Sequence, residues 1–223
     1  MKNRKLDTRW LALMALFVAL TLFLNLTPIG LIPLPVIKGT TLHIPVIIGA
    51  IILGPKAGGM LGGVFGLCSI WNNTMSPALL SFAFSPYIAA QELGAVGAVK
   101  SLWIVMGCRI MIGVVAGWLW IGLKKLKIRG RPVHDFAALP VTAAAGAMTN
   151  TLLVMGSIYL LMRPEYAAAK GVAMDAVLGL VQITIATSGV SEMISAIVVV
   201  TAVCKALMAT PFYREMAASR GRK

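Results

Sequence analysis

Apolar runs separated by short polar stretches dominate the chain, and the clearest example covers residues 42–67. There an apolar segment meets Gly54, Pro55 and Lys56, and a second, glycine-rich apolar segment follows at once. Proline has no backbone N–H and clashes with the preceding turn, so a helix cannot continue through this pair. The pattern predicts two helices joined by a tight turn. Glycines at every fourth position predict that another helix packs closely against the second.

Six apolar segments follow one another along the chain, and each is a predicted membrane span. Five of them have clear limits, at residues 10–26, 44–53, 101–123, 136–162 and 187–208. The third span is the second arm of the hairpin. The second span is too short to cross the bilayer core as a straight helix without its flanks. We therefore predict an all-α membrane protein with six transmembrane helices, in a single domain over residues 1–223.

Long polar connections follow the first, third and fifth spans, at residues 27–41, 72–97 and 163–182. Prolines interrupt the first two, which predicts irregular backbone rather than helix, and the third is a predicted polar loop with Glu165, Lys170 and Asp175. Irregular backbone at membrane depth is tolerated only where it is buried in protein or lines a cavity. We therefore predict that the connection at 72–97 forms a lid or a cavity wall.

Composition places the chain in a membrane. Its residues are 59% hydrophobic and only 12% charged, whereas soluble domains are about 25% charged. Mean hydropathy is +0.89. The net charge of +13 would suit nucleic acid, but the basic residues lie at the ends of apolar spans and form no patch with interleaved aromatics. The composition predicts an integral membrane protein that contacts lipid and binds no nucleic acid.

Basic residues are distributed unequally between the two sides of a six-span bundle. Both tails, Lys56 and the strongly basic loop at 124–131 fall on one side. Four basic residues fall on the other side or its connections: Lys38, Lys100, Arg163 and Lys170. Because positively charged loops stay in the cytoplasm, we predict that both termini are cytoplasmic. The long connections then face outward, which predicts a cup open to the outside.

No stretch of the chain has the residues that ATP binding or catalysis requires. The segment GAVGAVKS at 94–101 is close to a phosphate-binding loop, but Val99 takes the place of the second glycine. The cysteines at 68, 108 and 204 lie in or beside apolar spans and form no CxxC pair, so we predict buried thiols. Without a metal-ligand cluster or a catalytic set, we predict no enzyme and no cofactor in this chain. Uphill transport would take its energy from an ion or a separate ATPase.

Two charged residues lie inside predicted spans, where charge is costly and usually functional. Arg109 lies about two turns into the fourth span, and Gly113 and Gly117 continue its face, so its side chain is predicted to point inward. Glu192 lies at a comparable depth in the sixth span. Two roles stay open. The two charges form a buried pair that holds the bundle together, or Arg109 receives a substrate anion and Glu192 balances it until the ligand arrives.

Neutral amides at the outer ends or in the middle of the spans are further candidates for ligand binding: Asn72, Asn73, Gln91, Asn150 and Gln182. Such groups suit a polar solute, and the alternative is that they cap loops or form hydrogen bonds between helices. Lys38 in the first long connection and Trp103 at the outer end of the fourth span complete the candidate set.

A strip of small residues runs along the first predicted span. Ala15 and Ala19 are four residues apart, and Ala12 lies nearby. Small side chains at this spacing let a second helix approach closely. The strip predicts docking against a helix of this protein or of a partner.

Several segments resemble the substrate-binding S components of energy-coupling factor vitamin transporters. They are LHIPVIIGA at 42–50, LGPKAG at 53–58, SFAFSP at 81–86, RIMIGVVAG at 109–117, TNTLLV at 149–154 and GVSEMI at 189–194. The resemblance covers nearly the whole chain and is greatest for the pantothenate type. It implies a six-helix S component with both ends in the cytoplasm, in agreement with the charge distribution.

The resemblance also implies partners and a location. The partners would be a transmembrane coupling subunit and two ATP-binding cassette subunits, which would use the ATP. The first helix would dock on the coupling subunit, and Ala15 and Ala19 fit that role. Substrate release would follow when the whole S component topples in the membrane. The location implied is the prokaryotic plasma membrane.

The substrate implied is a small vitamin, most like pantothenate. Its carboxylate would suit an inward arginine, and its hydroxyls and amide would suit neutral amide side chains. Folate stays an alternative, because several aromatic residues could stack on its rings: Trp71, Phe82, Phe84, Tyr87 and Trp103. A solitary ion-coupled secondary transporter is the alternative from another class, although the chain shows no convincing internal repeat of the kind those proteins have.

Overall fold

The computed structural model describes residues 8–27, 31–33, 38–128, 131–132, 134–211, 213 and 215, with the backbone alone at 31–33, 38–40, 127–128 and 131–132. The α-helices in this part of the chain are α1 Thr8–Leu26, α2 His43–Leu53, α3 Pro55–Met75, α4 Ser81–Phe84, α5 Pro86–Leu102, α6 Cys108–Lys125, α7 Asp135–Leu161, α8 Arg163–Lys170, α9 Val177–Thr184 and α10 Val190–Ala209. Antiparallel strand pairs join β1 Leu31–Pro33 to β2 Lys38–Thr40, and β3 Lys127–Ile128 to β4 Arg131–Pro132.

Two helices run on through π-helical turns. The turn Trp103–Gly107 joins α5 to α6, and the turn Ile185–Gly189 joins α9 to α10. With these joins, four helical stretches in the described residues are long and apolar enough to cross a membrane: Thr8–Leu26, Pro86–Lys125, Asp135–Leu161 and Met174–Ala209. The predicted helical membrane architecture is confirmed at this level, and two small strand pairs add to it.

The predicted turn at Gly54 and Pro55 is confirmed. Helix α2 ends at Leu53, α3 begins at Pro55, and Gly54 between them has φ 98°, a conformation that glycine adopts without steric cost. All eleven residues of α2 are buried, and the helix contacts α1, α3, α6, α7 and α10. Because α2 is surrounded by protein, its short length does not have to match the lipid core.

Glycines on α3 meet the backbone of α6 at successive turns. A Cβ added to Gly58 would lie 2.6 Å from the carbonyl oxygen of Gly113, and one on Gly62 would collide with the backbone of Arg109. One turn further along α3, a Cβ on Gly66 would lie 2.8 Å from the carbonyl oxygen of Val105. The register runs backward along α6, so the two helices are antiparallel. The close packing predicted for the glycines is confirmed, and α6 is the partner.

The connections at 72–97 and 163–182 differ from the prediction, because most of their residues are helical. Helix α3 continues to Met75, and α4 and α5 follow, with a kink at Gly94, where φ is 72°. Pro86 occupies the first turn of α5, where its missing N–H has no helical partner to lose. Helices α8 and α9 occupy most of the other segment. Residues that indicated helix breaks therefore mark helix starts instead.

The start of α1 and Glu215, the last described residue, lie at the same end of the bundle. Arg9 at the start of α1 forms an ion pair with Glu215, at 3.0 Å between Nη1 and Oε2. At the same end, Lys124 of α6 pairs with Asp135 of α7. This end is called the terminal end below, and among the described residues it carries Arg9 and Lys124 of the predicted inner side.

Two apolar clusters fill the bundle on either side of a polar layer. On α6, Ile112 belongs to the cluster nearer the terminal end, and Cys108 belongs to the other. On α7, Ala147 belongs to the cluster nearer the terminal end, and Val154 belongs to the other. Arg109 and Asn150 are therefore placed at the boundary of the two clusters on both helices.

The α3–α6 contact predicts opposite effects for two adjacent glycines. Gly62→Ala should lower the free energy of unfolding by about 1–3 kcal/mol, because the new methyl group forces the backbone of Arg109 away. Gly63→Ala is the matched control, since a Cβ there meets nothing within 4 Å. It should be neutral or stabilise the helix by up to about 1 kcal/mol. Thermal unfolding in detergent measures both, and equal loss in the two variants would contradict the proposed packing.

Candidate functional site

Arg109 is a buried cation at the start of α6, with 6% of its surface exposed. Its Nη1 donates a hydrogen bond to Oδ1 of Asn150 on α7, at 2.9 Å. The guanidinium carbon lies 4.8 Å from the ring centroid of Phe65 and 5.5 Å from that of Phe84. The side chain of Arg109 therefore points into the bundle, as predicted.

Part of the guanidinium lacks a hydrogen-bond acceptor. The Nε of Arg109 is buried and has no hydrogen-bond partner among the described residues. A buried donor without an acceptor loses its hydration and gains nothing in return. Arginine binds carboxylates through parallel hydrogen bonds from two nitrogens. The free Nε–H thus provides one half of a carboxylate-binding fork.

The groups around Arg109 stabilise its charge without fully neutralising it. Asn150 contributes a neutral amide oxygen, and the faces of Phe65 and Phe84 contribute the negative side of their ring quadrupoles. The carboxylate of Glu192 acts on the guanidinium electrostatically. These contacts hold the guanidinium in a fixed position between α3, α4 and α7.

Helix α4 brings Phe84 to the site through a set of polar contacts with α3. Ser81 Oγ donates to Oδ1 of Asn73 at 3.0 Å. The hydroxyls of Thr74 and Ser85 lie 2.7 Å apart. These bonds fix α4 against the end of α3, so Asn73 supports the site by positioning Phe84.

The remaining candidate residues form hydrogen bonds with groups other than Arg109 or are exposed. The Nδ2 of Asn72 donates to Oδ1 of Asn25 at 2.7 Å, which links α3 to α1. Gln91 on α5 and Gln182 on α9 are exposed. Trp103 is half exposed, and its Nε1 donates to Oγ of Ser157 at 3.2 Å. The side chain of Lys38 lies outside the described residues.

Phe65 is the residue that the sequence analysis missed. It is 1% exposed and lies on α3 between Gly62 and Gly66. The available signal was its isolation, since it is the one aromatic residue between Pro55 and Ile70. A single large ring in a helix face of glycines has room to reach the neighbouring helix.

No group of three or more His, Cys, Asp or Glu in the described residues is placed to hold a metal ion.

The small-residue strip of α1 faces away from the rest of the bundle. Ala12, Ala15 and Ala19 are all exposed. The buried residues of this helix are Phe17 and Thr21, on its opposite side. The strip is therefore open to a partner helix or to lipid.

Comparison with known proteins assigns the chain to a family. The family model for the ECF transporter substrate-specific component matches residues 9–204. The chain belongs to this family. This S component is 32% identical to the pantothenic acid transporter PanT of Lactococcus lactis subsp. cremoris (strain MG1363) over 202 residues, which cover 88% of the chain and 92% of the relative. The family is a class of membrane transporter component and not a class of enzyme, and the resemblance seen in the short segments is confirmed.

The Arg109–Asn150 hydrogen bond predicts a measurable coupling in the ligand-free S component. Asn150→Ala should lower the free energy of unfolding by about 1.5–3 kcal/mol, because a buried charge loses its acceptor. Replacing both residues with apolar side chains, as Arg109→Met with Asn150→Leu, should cost less than the sum of the single changes. Thermal unfolding of the four proteins completes the cycle. Strictly additive effects would mean that the two side chains do not act as a pair.

Proposed function

We propose that this S component captures pantothenate at the outer side of the prokaryotic cell membrane for ATP-driven uptake by partner subunits. One observation carries the proposal: a buried guanidinium is held by a neutral amide and two aromatic rings, and its Nε has no acceptor. This arrangement suits a ligand that has one carboxylate. The printed name of the relative, a pantothenic acid transporter, supports the same substrate.

The chemistry of pantothenate matches the layer around Arg109. Its carboxylate would occupy the Nε side of the guanidinium. The hydroxyls and amide of its other end need neutral donors and acceptors, and the polar side chains of Asn73, Ser81 and Ser85 beside Phe84, away from the terminal end, would supply them. Burial in a water-poor layer strengthens the charge-assisted bond.

Folate is the alternative substrate, and the placement of the aromatic residues favours pantothenate over it. Trp71, Tyr87 and Trp103 are 59%, 63% and 50% exposed, and Phe82 is part of the apolar core. Among the five aromatic candidates, Phe84 has a recorded contact with Arg109. A pteridine ring at this arginine would have fewer stacking partners than the sequence indicated.

Six crossings account best for the helix order. The proposed spans are α1, α2, α3, the α5–α6 run, α7 and the α9–α10 run. An even number of crossings returns the chain to the side where it began, which agrees with the Arg9–Glu215 contact. The basic terminal end would face the cytoplasm by the positive-inside rule.

The proposed partners are a transmembrane coupling subunit and two ATP-binding cassette subunits. The family supports this assembly, and the exposed Ala12, Ala15 and Ala19 of α1 supply a surface that another helix can approach. A solitary ion-coupled transporter is the alternative. Uptake by the chain alone, driven by a proton gradient in cells that lack the coupling machinery, would favour that alternative.

The substrate proposal predicts a charge-specific loss of binding. Arg109→Gln should weaken pantothenate binding about 10- to 100-fold, with little effect on pantothenol, which has an alcohol in place of the carboxylate. Lys56→Gln removes an exposed charge elsewhere and should leave both affinities unchanged. Binding of radiolabelled pantothenate to the purified chain, with pantothenol as competitor, measures these differences. No saturable binding by the intact chain would exclude the proposed substrate.

Asn150→Asp separates ligand capture from a purely structural role. The new carboxylate would pair with Arg109 and take the place of the substrate anion, so pantothenate binding should fall about tenfold or more. Thermal stability without ligand should hold or rise, because the buried charge gains an ionic partner. If Arg109 only holds the bundle together, this variant would bind pantothenate as well as the natural chain does.

The docking proposal predicts a loss of transport without a loss of binding. Ala15→Trp and Ala19→Trp should each block uptake in cells that carry the partner subunits, because a large side chain keeps the partner helix away. Pantothenate affinity of the purified chain should stay unchanged. Leu20→Trp is the control, because this 39%-exposed residue points about 100° round the helix from Ala19. Blocked uptake by the control as well would contradict a localised docking strip.

A further inference from the structure

A basic cluster joins the ends of three helices at the terminal end of the bundle. Lys205 Nζ of α10 lies 4.4 Å from the ring centroid of Phe136, at the start of α7. The neighbouring Asp135 pairs with Lys124, at the end of α6. Lys125 comes next along that helix and is exposed. These contacts connect Lys124 and Lys205 through the first two residues of α7.

The aromatic contacts hold two of these lysines in defined positions. Lys205 lies over the face of Phe136, and Lys124 lies 5.7 Å from the ring centroid of Trp120. A lysine stacked on a ring has fewer rotamers available than one that extends freely into water. Phe136 itself is 68% exposed. The cluster therefore presents ordered positive charge beside an open apolar ring.

Acidic side chains do not balance this charge within the described part of the chain. Two carboxylates at the terminal end have recorded ion pairs, Asp135 with Lys124 and Glu215 with Arg9. No ion pair is recorded for Lys125 or Lys205 among the described residues. An anion from outside the chain can therefore pair with these two lysines.

We infer that Lys205 on the ring of Phe136, together with Lys124 and Lys125 at the end of α6, forms a binding site for the headgroup of an anionic phospholipid. The cluster lies at the ends of α6, α7 and α10, and these helices belong to stretches that are long and apolar enough to cross a membrane. Its charge is complementary to such a headgroup, and the exposed ring of Phe136 can contact the first carbons of an acyl chain. Pantothenate binding plays no part in the inference.

Native mass spectrometry of the full chain, titrated with phosphatidylglycerol or with phosphatidylcholine, tests the site. The natural chain should retain phosphatidylglycerol preferentially. Lys125→Gln and Lys205→Gln should each weaken that retention about fivefold, and Lys205→Arg should restore it. Pantothenate affinity, measured in parallel, should be unchanged in every variant and reports that the chain is folded.

Lys56→Gln is the decisive control. It removes one exposed charge from the terminal end, at the turn between α2 and α3, outside the cluster. A defined site predicts a much smaller effect than for Lys205→Gln. Equal weakening by the two variants would show diffuse attraction of lipid to a basic surface and would overturn the site.

Asp135→Asn gives a test that misfolding cannot imitate. Removal of this carboxylate releases Lys124 and adds one net positive charge, so phosphatidylglycerol should bind about fivefold more tightly. Unchanged or weaker binding in a folded variant would contradict the inference.

Inorganic phosphate should fail to displace the lipid, because it has no acyl chain to contact Phe136. Displacement by phosphate would show a soluble-anion site instead, and retention that requires the partner subunits would show a protein interface.

Discussion

Helices α3 and α6 approach more closely than side chains on the glycine positions would allow. Gly62 contacts the backbone of Arg109 itself, and Gly58 and Gly113 place backbone against backbone one turn away. This contact fixes the depth and direction from which the guanidinium leaves α6. It also brings Phe65, on the same glycine-rich helix, to the face of that cation. The close approach of the two helices therefore determines the position of the candidate ligand-binding group.

Burial then determines what the cation can do. A charge moved from water into a bundle loses hydration, and hydrogen bonds or an opposite charge must replace it. The structure replaces part of it, through Asn150, two aromatic faces and the field of Glu192, while the Nε–H keeps no acceptor. A site that is complete except for one anion-binding donor is suited to capture a carboxylate. The two apolar clusters lie on either side of this layer.

Sequence predicted the parts of this arrangement that depend on local chemistry. The Gly54–Pro55 turn, the glycine face of α3 and the inward Arg109 each follow from spacing within one helix. Helical structure at 72–97 and 163–182 was not predicted. In the sequence alone, a proline in the first turn of a helix cannot be told from a proline that ends one. The contact of Phe65 with Arg109 and the hydrogen bond between Asn73 and Ser81 depend on how α3 packs against α6 and α4. Residue spacing within one helix does not determine that packing. The exposure of Gln91, Gln182 and Trp103 likewise depends on the direction in which their helices pack.

The proposals assign three tasks to this S component: ligand capture to the polar layer, docking to the strip on α1, and contact with the membrane surface to the basic terminal end. The first of these carries the functional proposal. A structure of the chain with pantothenate bound tests it most directly. The account predicts the carboxylate within hydrogen-bonding distance of Nε of Arg109, with the hydroxyl end directed away from the terminal end. A carboxylate bound elsewhere, with the surroundings of Arg109 unchanged, would contradict it.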